Sequence, residues 1–548
     1  MLHLRVSLIR LVSALVVAAI LAAACSRLRS GLPERVGKAP APQITLTRFV
    51  PPPFPTRVLP ATATPAPTPL PSLGAPLVWY LRGTPPRDLD AVSAQLNRVL
   101  DARGFNARIV LRPIEPARFD RRMAEIRAAG EAWDLVSLTG SRYADWSAQG
   151  LLLPLAAYPE DRLKQSEPDL WASLPPSAWQ AARVNGIVYA VPNPGAWARA
   201  RGVFIRADVV EALGLQPALS RLRAPDDLTP LLAQIQSAWQ DGTLAARGVL
   251  DAKKINSLVG QAGLLYPELA GYDLLVEPFV VRYDDASLKV VNWYQTLDFQ
   301  SLVSLRRTWQ KSGYLPGNAL DPDAALQGYR SGRYLVIVGA QMYPGSAADW
   351  SARTGYTWVD YPLAAPFLRT QVVCESLTGI NAHISGDPER VRRVRLLIEW
   401  LHTDPGLYNL LARGIQGQHW NWASPGQAWI NLSSGSGYLP DYADQLGDST
   451  LLYAIRPGQQ GLEQAVRQSN ASTPASAALG FRFNPVAVSG EVLAAQGLLP
   501  ELLTPLAAGQ VRDIPSAVDA LNKALTISGA PAIQQELARQ LAEFKAMR

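Results

Sequence analysis

The sequence predicts an α/β protein of two lobes, each a mainly parallel sheet flanked by helices, with the chain crossing between the lobes several times. Three observations predict it. From residue 77 onward, short apolar runs alternate with segments whose apolar positions recur at helical spacing, the pattern of strand–helix–strand units. The same alternation starts again near residue 200. The chain has 548 residues, too many for one hydrophobic core.

The first stretch has a different character. Arg5 and Arg10 stand in a segment that becomes an apolar run from 11 to 21, and small residues lead to Cys25. A charged start, an apolar centre and a small-residue cleavage site make a secretory signal. The sequence A-A-A-C-S at 22–26 resembles a bacterial lipobox, although Ala22 stands where Leu is usual and Leu21 lies one position further back. That resemblance implies a lipidated Cys25 as the mature N-terminus, anchored in a membrane by its acyl chains. An uncleaved anchor and a plain secretory signal are the alternatives. Residues 25–76 are rich in Pro, Ala and Thr and poor in charge between 38 and 76. Proline fixes φ and removes backbone donors, so this segment is expected to be a semi-stiff tether.

The fold begins at 77. L-V-W-Y-L (77–81) is a strand followed by the turn G-T-P-P (83–86). Leu89, Val92, Leu96 and Val99 share one helical face, and Gly104 ends it. R-I-V-L (108–111) is the second strand, Phe119, Met123 and Ile126 mark the second helix, and residues 133–138 are the third strand. In open α/β sheets ligands sit beyond the carboxyl ends of the strands. The loops there hold Arg82, Thr139 and Ser141, with Trp146 packed beneath. Asn185-Gly186 favours a tight hairpin turn before I-V-Y-A-V-P. A strand at 203–206 and a helix through Val209, Val210 and Leu213 open the second lobe.

In that lobe Phe299, Leu302, Leu305 and Trp309 lie at helical spacing, with Gly313 as a stop signal. The strand 334–338 runs into the polar and aromatic loop 339–345, which offers Gln341 and Tyr343 as the opposite lip of a cleft. Residues 372–384 are expected to cross back, and Asp387-Pro388 starts a helix. The crossings are placed near 195–202, 378–384 and 420–430. Lobe 1 then comprises 77–198 and 382–425. Lobe 2 comprises 199–381 and 426–548, ending in a helical extension.

Composition and motifs exclude much. Lys and Arg are scattered, and a formal charge of +7 is modest for this length, so nucleic acid is not an expected partner. Two cysteines form no disulfide framework, and Cys374 reads as a small apolar residue on a buried strand. Four dispersed His and no H-E-x-x-H give no metal site. There is no G-x-S-x-G and no G-x-G-x-x-G after a strand; Asp284-Asp285 reads as a solvated turn. No cofactor is expected, and no catalytic constellation.

Several phrases resemble one family. N-G-I-V-Y-A-V-P at 185–192, F-I-R-A-D at 204–208 and S-A-Q-G-L-L-L-P-L at 147–155 are similar to the extracellular solute-binding proteins of ABC importers, family-1 or sugar-binding type. W-Y-L-R-G-T-P-P-R-D-L at 79–89, W-L-H-T-D at 400–404, G-I-Q-G-Q-H at 414–419 and G-F-R-F-N-P-V at 480–486 resemble a lipoprotein subgroup with an extra C-terminal domain of unknown function. The resemblance covers 77–548. It implies a periplasmic-binding-protein-like fold and a monomer held at the membrane through Cys25. Its function would be to capture a carbohydrate, an oligosaccharide, and present it to permease subunits.

Sugars need aromatic faces for their C–H surfaces and planar polar groups for their hydroxyls. The candidates are Arg82, Thr139, Ser141, Asn193, Trp197, Gln341, Tyr343 and Glu375. Arg82 and Glu375 could instead pair across the lobes, and Trp420 and Trp422 are open between stacking and packing. A glycosidase-like surface lipoprotein and a ligand-sensing subunit are the alternative functions.

Overall fold

The computed structural model describes residues 71–157, 162–317, 321–424, 428–456 and 459–547. The signal segment, Cys25 and all but the last six residues of the tether lie outside the described residues.

Strands β1 (Leu77–Arg82), β2 (Ile109–Ile114) and β3 (Leu135–Leu138) and helices α1 (Leu89–Ala102), α2 (Phe119–Ala128) and α3 (Gly140–Ala148) follow in the expected order. Helix α1 buries Val92, Leu96 and Leu100, and α2 buries Phe119, Met123 and Ile126. Each set is the apolar stripe that a surface helix turns to its sheet. β1 lies between β2 and β3 and is parallel to both. After the short strand β4 (Ala190–Pro192) the chain leaves this lobe.

The second sheet is built from β5 (Ala200–Arg206), β6 (Val259–Ala262), β7 (Val336–Met342) and β8 (Trp358–Pro362), in the order β8-β5-β7-β6. Helices α4 (Leu228–Gln240) and α5 (Leu297–Lys311) pack on it through stripes that include Leu228, Leu232, Ile235, Leu302 and Trp309. The chain then returns, and β9 (Leu377–Ile380) joins the first sheet, giving β2-β1-β3-β9-β4.

The second sheet is mixed where the sequence suggested a mainly parallel one. β5 is antiparallel to both β7 and β8, and β7 alone pairs in parallel, with β6. The cause is the crossings. A strand that enters a lobe from the cleft, such as β5 or β9, must run opposite to strands that deliver chain toward it. β9 is accordingly antiparallel to β3 and β4.

Two large apolar cores result, beside a smaller cluster that gathers Phe204, Ala325, Tyr329, Tyr334, Ile337 and Trp358. The first takes in Leu77 to Val191, then Leu368, Val373, Leu377 and Ile380, and later Tyr438, Tyr442 and Leu446. It also holds the apolar faces of α6 (Pro388–Thr403) and α7 (Pro405–Arg413). The lobe limits expected at 381/382 and 425/426 therefore move, since residues 368–381 and 428–452 lie with the first lobe. The crossings run through 193–199, 363–368 and 453–477. The one expected near 420–430 is instead a hairpin, in which Trp420–Trp422 pairs antiparallel with Ile430–Leu432.

The second and third crossings run side by side. The Leu368 N–H donates to the Pro474 carbonyl and the Ser476 N–H to the Leu368 carbonyl, both at 2.9 Å. Helix α8 (Leu462–Ser472) lies within the third crossing. Helices α9 (Ser489–Ala507), α10 (Ile514–Ile527) and α11 (Ala530–Ala546) then bury Val492, Leu499, Leu503, Leu521, Leu525, Leu537 and Leu541 in the second core. The C-terminal helices therefore pack on the second lobe. The end of the tether is also docked, since the Leu73 N–H donates to the Asn106 carbonyl and Arg390 to the Pro76 carbonyl at 2.6 Å.

Candidate ligand-binding site

A cavity of about 300 Å³ opens at the carboxyl ends of β1 and β3. Arg82 ends β1, Ser137 and Leu138 end β3, and Thr139 follows as the N-cap of α3. Glu375 and Ser376 enter from the segment before β9, which starts at this edge because it runs antiparallel to β3. The fourth wall is the loop 441–445, with Asp441, Asp444 and Gln445. Gln445 fastens that loop to β1, because its side chain accepts from the Arg82 N–H at 2.9 Å and donates to the Arg82 carbonyl at 2.7 Å. Asp441 accepts from the Thr84 N–H at 2.9 Å. Gly83 makes the approach possible, since a Cβ there would lie 2.3 Å from an Asp441 carboxylate oxygen and 2.5 Å from the Tyr442 ring.

The opposite lip comes from lobe 2 through one guanidinium. Arg199, on the first crossing, donates to Gln341 Oε1 at 3.1 Å and to Glu375 Oε2 at 2.6 Å. Gln341 lies at the end of β7 and Glu375 at the edge of the first lobe, so Arg199 joins both sides of the cleft. Tyr343, next along the same lip, is half-buried and donates its hydroxyl to Asp349 at 2.8 Å. Burial, and then the Asp349 charge and hydrogen bond, push this phenol up to about 12.

The predicted residues divide accordingly. Arg82, Thr139 and Glu375 line the cavity. Gln341 and Tyr343 form the facing lip. Ser141 is exposed beside it, its hydroxyl 3.3 Å from that of Thr139. Two expectations are corrected. Asn193 is buried and serves the fold, for its amide donates to the Ser376 hydroxyl at 3.0 Å and to the Gln445 carbonyl at 3.2 Å, and its oxygen accepts from Thr378 at 3.1 Å. Both of its amide hydrogens are used by these bonds. Trp197 is 3% exposed in the first core, where its backbone N–H donates to Asn470 at 3.0 Å. An apolar ring on a crossing segment is buried between the elements that the crossing joins.

Arg82 and Glu375 do not pair, because Arg199 takes the Glu375 carboxylate. Trp146 is buried in the first core, edge-on to Trp133 at 5.7 Å. Trp420 is buried with its indole N–H on the Gly414 carbonyl at 2.9 Å, whereas Trp422 is 40% exposed and tilted against Tyr453 at 5.0 Å. Cys374 is buried, but it ends the short helix Thr370–Val373 instead of lying on a strand. Burial raises its thiol pKa, and Arg482 opposes that. Asp284 is an exposed partner of Arg282 at 2.9 and 3.1 Å, a solvated turn.

Sequence reading did not find Arg199, Asp441, Asp444, Gln445 or the Asp120–Arg142 pair that also borders the cavity. Asp120 and Arg142 had a weak signal, since each opens the helix after a strand end. Asp441, Asp444 and Gln445 had none, because they follow a hairpin the periodicity did not reveal. No group of three or more His, Cys, Asp or Glu among the described residues is arranged to hold a metal ion.

Residues 477–546 match the profile of a domain of unknown function, DUF3502. A carbohydrate ABC transporter substrate-binding protein of Streptococcus pneumoniae serotype 4 is 22% identical over 472 residues, 85% of this chain and 90% of that protein. Among solved structures, the N-glycan transport solute binding protein (NgtS) of Streptococcus pneumoniae superposes with a TM-score of 0.70 at 20% identity, covering 86% of this chain and 99% of that one. Its complex with Man5GlcNAc has a TM-score of 0.59 over the same shares. An extracellular solute-binding protein of Bifidobacterium longum subsp. infantis superposes at 0.55 and 14% identity, covering 85% of this chain and 98% of that one. The chain has the two-lobed fold of the extracellular solute-binding proteins, with the C-terminal domain of unknown function packed on its second lobe.

Proposed function

We propose that this protein is the substrate-binding component of an ABC importer, which captures an oligosaccharide between its lobes and presents it to the permease. The observation that carries the reading is the polar cavity at the strand ends of lobe 1, faced by Gln341 and Tyr343 of lobe 2 and joined to them through Arg199 on a crossing. Hinges made of a few segments let two rigid lobes close on a ligand. A ligand shifts that equilibrium only by binding the closed arrangement better than the open one. Contacts to both lips supply that difference. The relatives named for carbohydrate and N-glycan transport support an oligosaccharide as the cargo.

A thermal-shift screen of the protein against neutral oligosaccharides, with Man5GlcNAc among them, tests the reading. A true ligand at about a hundredfold excess over its Kd stabilises by roughly 2.7 kcal/mol and raises Tm. Recovery of the glycan intact by mass spectrometry is expected. Release of shorter products would replace this reading with a hydrolase, and an absence of any shift across the panel would remove the sugar assignment.

The reading includes a monomer tethered through lipidated Cys25. Support for the anchor comes from the signal-like start, the A-A-A-C-S site and the proline-rich spacer that follows. Cys25→Ser is expected to move the protein from the membrane fraction to the soluble one. Unchanged fractionation would refute lipidation at this cysteine.

A further inference from the structure

The charges around the cavity do not balance, and the imbalance has a direction. Asp120 and Arg142 neutralise each other through two bonds of 3.0 and 2.8 Å. Glu375 is matched by Arg199 at 2.6 Å. Arg82 is then left against two carboxylates, Asp441 and Asp444, which have no ion-pair partner among the described residues. Asp441 takes the Thr84 N–H and keeps further acceptor capacity. Burial, and then the nearby Glu375 and Asp441 charges, raise the Asp444 carboxyl above its ordinary value. At the end of β3, Ser137 is one of the residues lining the cavity; it is 4% exposed, and its buried hydroxyl has no hydrogen-bond partner among the described residues.

Ionised carboxylates only accept hydrogen bonds, and a hydroxyl donating to one makes a strong, charge-assisted bond. A third negative group brought between Asp441 and Asp444 meets repulsion from two charges of its own sign. We propose that the cavity is a subsite for an uncarboxylated sugar unit, whose hydroxyls donate to Asp441 and Asp444 and whose oxygens meet Arg82 and Ser137, and that the same two carboxylates reject uronic and sialic units. This rests on the reading of the protein as a glycan binder and adds the charge class of the glycan. Asp441 and Asp444 are then specificity-determining residues. Arg82 alone does not reverse the preference, because each ligand carboxylate it attracts also faces two of its own sign.

The test is binding of the full-length protein to an array in which each neutral oligosaccharide is printed beside its counterpart with C6 hydroxyls oxidised to carboxylates. The oxidised member of each bound pair is expected to be weaker by at least about tenfold, the equivalent of one like-charge contact. Asp444→Asn keeps the side-chain size and removes one charge, so it should narrow that ratio by several-fold, and Asp441→Asn should do the same. Thermal melts of both variants check that the fold is kept. Equal binding of oxidised and neutral members, or a ratio unmoved in both variants, overturns the charge selectivity and leaves the glycan-binding function standing. If no member of any pair binds, the glycan reading fails and the proposal fails with it.

Discussion

Replacing Asp134 by alanine is expected to destabilise the first lobe by about 3–5 kcal/mol, the usual cost of breaking a buried charge pair from one side. Asp134 is wholly buried at the start of β3. Its carboxylate accepts from the Val78 N–H at 2.7 Å and from both the Nε and, at 2.8 Å, an Nη of Arg390 on α6. The same guanidinium holds the Pro76 carbonyl at 2.6 Å. One carboxylate thus ties β1, β3, a helix more than two hundred residues away and the end of the tether. Alanine leaves a half-dry guanidinium and an orphaned backbone donor. Urea unfolding followed by tryptophan fluorescence measures the loss. Arg390→Met on top of it should recover part of the stability, because the stranded cation goes too. A loss below about 1 kcal/mol would show that the pair is not holding these elements together.

Glu268→Gln is the second large effect, and it reaches the hinge. Glu268 of lobe 2 lies between Arg201 on β5 at 3.2 Å and Arg369, just past the second crossing, at 2.5 Å, and all three side chains are mostly buried. Arg201 also covers the Tyr266 ring, 3.2 Å from its centroid. Although burial pushes its carboxyl upward, the Arg369 and Arg201 guanidiniums hold Glu268 down to about 2. Asp273 faces the same Arg369, and burial pushes it up to about 6, with Arg369 and Ser476 opposing. A carboxylate depressed from 4.5 to about 2 contributes stability that is fully present above pH 4.5 and disappears as pH falls toward 2. Glutamine should therefore cost about 3–5 kcal/mol at pH 7, and the gap to the parent protein should close between pH 4.5 and 2. Unfolding midpoints across that range measure it. A gap that stays constant down to pH 2 would show that the Glu268 charge is not the source.

The sequence was most legible where the signal is local. Val92 and Leu96 of the expected stripe are buried because a helix repeats every 3.6 residues, and that spacing is written in the chain. The same holds for Phe119, Met123 and Ile126, and for the strand ends that placed Arg82, Thr139 and Gln341 at a cleft. Trp197 and Asn193 misled for a reason of the same kind. They stand beside a strand end, which predicts nearness to the cleft, but local pattern does not say which way a side chain turns. Trp197 turned into the core, and Asn193 turned to Ser376, Thr378 and Gln445.

What the sequence by itself determined is the alternation of strands and helices from residue 77 and the helical stripes that face the sheets. Hydrophobic periodicity and glycine or proline punctuation act over a few residues and need no partner to be read. Only the tertiary structure decided the direction of the strands in the second sheet, the lobe to which 368–381 and 428–452 belong, and the composition of the cavity. Arg82 and Gln445 are 363 positions apart, yet they share two hydrogen bonds. Arg199 finds Glu375 across 176 positions. Such contacts depend on where each crossing returns the chain, and a crossing is fixed by the packing of both lobes at once.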